Sequence, residues 1–139
     1  MAYVQDSSGN ILFADKEYNQ PLQTSRESTW SYSAAGSGIV NTNTAVTVKA
    51  AVPLMRNYIT ALEIMAEALT NATEFVIRDG AGGTVLWRTK IPTTGLLNGL
   101  TAEFEPPLFG SVNTLLEICT LTASGTGAVY ANLQGYVAA

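Results

Sequence analysis

Glu74-Phe75-Val76-Ile77-Arg78-Asp79-Gly80-Ala81-Gly82-Gly83-Thr84-Val85-Leu86-Trp87-Arg88 is the stretch that decides the fold. Asp79–Gly83 supplies residues that tolerate positive φ, and a run of alternating character lies on each side of it. Phe75 and Ile77 alternate with Glu74 and Arg78, and Val85 and Trp87 lead to Arg88. A period of two with one apolar side describes a half-buried strand. Folding the chain back sets Ile77 opposite Val85, Phe75 opposite Trp87 and Glu74 opposite Arg88. Such cross-strand pairs contribute roughly 0.2–1 kcal/mol each. A slip of one residue would bury Arg88, so the register is expected to be firm. The glycines do not form a phosphate-binding loop: no Lys-Ser/Thr follows them, and the next element is a strand instead of a helix.

The same alternation extends both ways. It recurs at Trp30, Tyr32 and Ala34, then at Val46, Val48 and Ala50. It returns at Trp87 and Ile91, at Ala102 and Phe104, and at Val129, Ala131, Leu133 and Val137. Leu115–Leu121 is apolar on both sides except Glu117, as in a central or interface strand. Asn57–Leu69 reads two ways. Ile59, Leu62, Met65 and Leu69 are spaced as on a helix, whereas Tyr58, Thr60, Leu62 and Ile64 alternate. Strands on both sides select a strand through about Ala66. Thr93–Leu100 and Leu108–Asn113 are then loops. About eight strands follow the first 28 residues, so residues 29–139 are expected to form an eight-stranded, jelly-roll-like antiparallel sandwich, with a meander as the competing topology.

Residues 1–28 differ. They hold six of the chain's 18 charged residues and show no sustained periodicity. Met1–Gln5 and Ile11–Ala14 flank a turn-like Asp6–Asn10, and Pro21 interrupts a polar stretch. This segment reads as an N-terminal arm with a small hairpin, or as a frayed terminus; Tyr3, Ile11, Leu12 and Phe13 are the arm's candidate partner-binding residues. Met1–Asn10 is polar, so no secretory signal is expected.

Composition excludes several function classes. The 139 residues are 47% hydrophobic and only 13% charged, with net charge −4. Nucleic-acid binding needs a basic stripe, which is lacking, and anionic membranes are disfavoured for the same reason. No apolar stretch approaches the roughly 20 residues of a membrane helix. With no histidine and one cysteine, zinc is disfavoured, and no loop is acidic enough for calcium; no cofactor is expected. No histidine is present to activate a serine or threonine. Glu103 and Glu105 share a strand face about 7 Å apart, but nothing beside them would raise a pKa for glycosidase chemistry. Asn71-Ala72-Thr73 fits a glycosylation acceptor without a secretory route. Cys119 reads as a small buried hydrophobe.

What remains is surface. Outward Tyr130 and Tyr136 among uncharged polar groups suit a protein interface. Leu96, Leu97, Leu100, Leu108 and Phe109 crowd two expected loops and need cover from the domain or a neighbouring subunit.

From Lys49 to Gly95, Arg56-Asn57-Tyr58-Ile59-Thr60, Phe75-Val76-Ile77-Arg78-Asp79-Gly80 and Gly83-Thr84-Val85-Leu86-Trp87-Arg88-Thr89 resemble small all-β virion proteins of tailed bacteriophages. Asn113-Thr114-Leu115-Leu116-Glu117 and Gly135-Tyr136-Val137 are similar too. The resemblance covers roughly Trp30 to Ala139 and leaves out the arm. It implies a head decoration, or cement, protein: a homotrimer that binds the phage major capsid protein on the outer capsid surface after assembly in the host cytoplasm. It transfers no catalytic residue. A tail, baseplate or receptor-binding sandwich recognising a glycan is the alternative.

Overall fold

The computed structural model describes residues 28–34, 36 and 38–139, together with the backbone of Val4–Asp6 and Asn10–Leu12. In chain order the strands are β1 (Val4–Asp6), β2 (Asn10–Leu12), β3 (Ser28–Tyr32), β4 (Ile39–Val40), β5 (Val46–Lys49), β6 (Arg56–Ala66), β7 (Thr73–Asp79), β8 (Thr84–Ile91), β9 (Leu96–Phe109), β10 (Leu116–Thr120) and β11 (Ala128–Ala138). β1 and β2 pair antiparallel, Gln5 opposite Ile11, as the expected hairpin.

The others form two antiparallel sheets, ordered β5-β10-β7-β8 and β3-β11-β6-β9, with β4 also on β11. From β5 onward the chain changes sheet at each connection except the β7–β8 hairpin. That path, with strands early and late in the chain lying side by side, is the jelly roll. The all-β sandwich is thus set by its own strand order. The ambiguous segment is strand β6, ending at Ala66. Helix propensity loses there because β6 lies between β11 and β9, where its alternate residues Ile59, Leu62 and Ile64 are buried between the sheets.

Inward residues of both sheets build one core around Phe75, Ile77, Ile91, Leu116, Ile118, Ile59, Ile64, Val129 and Leu133, with Trp30, Tyr32, Trp87, Phe104 and Leu108 packed at its margin. Removing a large side chain such as Phe75 from water contributes roughly 1.5–3 kcal/mol. β10 is buried along its whole length. Its Glu117, 5% exposed, accepts from Arg78 Nε at 2.8 Å and Gly82 N at 2.8 Å.

Two expectations need correction. The β7–β8 hairpin pairs Ile77 with Trp87, Phe75 with Thr89 and Glu74 with Lys90. The turn is shorter than expected, closed by Gly83 N donating to Gly80 O at 3.0 Å. The register then shifts between Ile77 and Arg78, leaving Leu86 as the extra residue. From Trp87 to Ile91 the inward face is the expected one, because the displacement there is two residues; Val85 instead falls opposite Arg78 on the outer face, and Leu86 packs against the core. Glu74 and Arg88 meet diagonally, at 3.2 Å.

The second correction concerns the leucine-rich loops. Leu96–Leu100 and Leu108–Phe109 are the two ends of strand β9. Pro106 and Pro107 lie within this strand. β9, however, is an edge strand, where a missing N–H costs no ladder bond. The register jumps between Ile59 and Ala61, so the prolines lie in a bulge.

Gly135 sits at a bulge in β11. A Cβ there would collide with the Tyr58 carbonyl oxygen and lie 2.7 Å from the Trp30 indole. A glycine is required by this approach of β3 and β6.

Candidate functional site

The residues singled out from sequence divide by position. Leu96 and Leu108 are half-buried against the core. Leu97 and Phe109 on the same strand are 67% and 52% exposed. Tyr130 is half-buried opposite Met65, and Tyr136 is half-buried opposite Tyr58. Tyr3 and Phe13 lie outside the described residues. Ile11 and Leu12 fall in β2, of which only the backbone is described.

The structure brings two of these residues together. On the outer face of β11 and β6, the Tyr58 and Tyr136 rings stack with centroids 4.7 Å apart and planes 5° apart. Phe109 from β9 tilts against Tyr58 at 5.7 Å. The Arg56 guanidinium lies 5.4 Å from the Phe109 ring centre and donates to Gly110 O at 3.0 Å. A cation over an aromatic face adds roughly 0.5–1 kcal/mol at an exposed site. Phe109 is therefore held in place while half its surface meets solvent. Beyond this cluster the outer face is a shallow cleft of hydroxyls and amides, including Ser31, Thr60, Asn132 and Gln134.

The aromatic cluster adjoins the end of the sandwich formed by the β5–β6, β7–β8 and β9–β10 loops. Asn57, 1% exposed, donates from Nδ2 to Ala50 O at 3.1 Å and Thr114 O at 3.2 Å, and its main-chain carbonyl accepts from Gly110 N at 3.0 Å. Asn113 N donates to Met55 O at 2.8 Å. The Asp79 carboxylate accepts from Ser111 N at 2.9 Å and Ser111 Oγ at 2.7 Å. Out of this braced base project Leu54, 83% exposed, and Val112, 45% exposed. Leu54 has φ 66°. A left-handed backbone costs a non-glycine residue roughly 1–2 kcal/mol.

The outer face of the four-stranded sheet is closed by charge. Arg78 Nη2 lies 2.6 Å from Glu117 Oε2, and the Glu74–Arg88 pair adjoins it. Cys119 and its cross-strand neighbour Val76 are buried. Burial pushes the Cys119 thiol above its ordinary value; Arg78 opposes this and Glu117 adds to it. Glu103 and Glu105 are exposed on the edge strand. Among the described residues, no group of three or more Asp, Glu, Cys or His side chains is placed to hold a metal.

Sequence reasoning missed Leu54, Val112 and Tyr58. Tyr58 was legible in principle, as an outward position of β6 directly across from Tyr136. Nothing local marks Leu54, because left-handed backbone at a leucine follows from loop bracing and has no residue signal.

No protein family matches the chain, and no curated protein matches it. Among solved structures it is similar to a chain of the cyanophage Pam1 capsid asymmetric unit, with 19% identity, 88% of this chain and 93% of that one covered, and a TM-score of 0.43. It is also similar to the tobacco streak virus coat protein, with 13% identity, 79% and 87% covered, and a TM-score of 0.39.

Proposed function

We propose that this chain is a structural virion protein of a tailed bacteriophage: a head decoration, or cement, protein that binds the outer shell as a homotrimer and stabilises it. The carrying observation is a jelly roll in which three exposed apolar residues at one end sit on braced backbone: Phe109 beneath Arg56 and beside Tyr58, Leu54 and Val112 on loops held by Asn57 and Asp79. The phage-protein resemblance of Trp30–Ala139 supports the same reading. Such a surface works through burial alone. Apolar groups already ordered lose little entropy on docking, so their removal from water goes largely into affinity. Three copies around an axis make each further contact effectively intramolecular. No bond-making step is proposed, and no nucleic acid or membrane partner.

In this reading residues 1–28 are a gripping arm and residues 29–139 the body. The partner is the major capsid protein, and the site of action is the outer capsid surface after assembly in the host cytoplasm. Light scattering on the purified chain is expected to give three times the monomer mass, and purified particles are expected to contain the chain stoichiometrically. A monomer at high concentration together with absence from particles would overturn the reading.

A second reading is favoured by the hydroxyl- and amide-lined cleft beside Tyr136: a tail or receptor-binding module for a glycan. A glycan array with reproducible hits, with the chain located in the tail, would select it.

A further inference from the structure

Resting on the decoration reading, we infer that the chain seats on the shell through the end of the sandwich bearing Leu54 and Val112, with Leu54 inserting into a shallow apolar depression of a shell subunit. Leu54 combines two unfavourable features at one residue. Its backbone is left-handed, at φ 66°, and its side chain is 83% exposed. Glycine or asparagine would adopt that conformation more readily, so the isolated fold has no use for leucine there. An outlier of this kind persists when a partner rewards it.

Three observations choose the partner. Ala50–Met55 and Phe109–Thr114 contain no Asp, Glu, Lys or Arg, and the adjoining Arg56 is turned onto Phe109 and Gly110, which fits an uncharged apolar protein surface. The loops are pre-ordered by Asn57 and Asp79, so docking freezes little. The chain before Ser28 also enters here: Ser28 pairs with Val137, next to Ala138, which pairs with Arg56. The segment before Ser28 is therefore joined to the body at the Leu54 end. That continuity points to the shell.

The test uses particles of the encoding virus assembled from a genome lacking this gene. Wild-type chain, the double variant L54G/V112S and the control Leu121→Ser at the opposite end are each added and sedimented with the particles. The double variant is expected to stay trimeric, to unfold no lower in temperature than wild type because glycine relieves the strain, and to bind at least tenfold more weakly. Leu121→Ser is expected to bind as wild type. Equal binding by the double variant overturns this assignment alone. So does loss of the trimer, which would make this end a contact between copies, and so does equal weakening by Leu121→Ser. If wild-type chain fails to bind, the decoration reading falls and this assignment with it.

Discussion

Strands β9 and β10 are neighbours in sequence and opposites in environment. β9 carries Leu96, Leu97, Leu100, Leu108 and Phe109, yet none of its residues is fully buried. β10 carries Glu117, Cys119 and Thr120, and every residue is buried. Position in the sheet decides this, ahead of composition. β10 lies between β5 and β7 and is covered on both faces, while β9 closes the edge of its sheet beside β6 alone. The polar groups of β10 are tolerated because each has a partner: Glu117 has Arg78, and Thr120 Oγ1 donates to Thr42 O at 2.9 Å. Apolar groups are left on β9 at an edge that another chain can cover. Stability is therefore concentrated in one strand and available surface in the other.

The contrast is sharpest at Glu117. Glu117→Ala leaves the Arg78 guanidinium uncompensated and is expected to cost about 3–5 kcal/mol, read from urea unfolding midpoints. The double variant R78M/E117L is expected to recover most of that loss. If the single change is harmless, β10 does not hold the sandwich in the way described.

Gly135→Ala tests the sheet that carries β9. Its methyl group would meet the Tyr58 carbonyl and the Trp30 ring, and the expected loss is roughly 1–3 kcal/mol. A neutral result would mean that β3 is free to move away.

Cys119 gives a smaller effect with a defined sign. The unfolded thiol titrates near about 8.5, while burial holds the folded thiol higher. Above pH 8.5 the unfolded state therefore carries fewer protons than the folded one, and stability falls as pH rises. The fall between pH 7 and 9.5 is expected to be less steep in Cys119→Ala. Equal slopes would place the thiol in water. The smallest effect belongs to β9: Leu97→Ser is expected to change folding stability by no more than about 0.5 kcal/mol.

The fold was legible because alternation survives in nearly every strand, from Trp30 and Tyr32 to Leu133 and Val137. β9 was the part that misled. Pro106-Pro107 and Gly99 look like punctuation, and only the edge position makes them compatible with a strand. The hairpin register was displaced because a bulge at Leu86 has no residue signature. Of the surface, Tyr136 and Phe109 could be named from sequence, but the stack that joins them runs through Tyr58 on a third strand. That contact depends on the long-range pairing of β6 with both β9 and β11. Leu54 was hidden for a different reason: its significance lies in a backbone angle.

A reconstruction of the encoding virus's particle at side-chain resolution tests the central claim most directly. The account predicts three copies of this jelly roll around an axis on the outside of the head, with Leu54 and Val112 against the shell. Finding the chain in the tail, or absent from the particle, would contradict it.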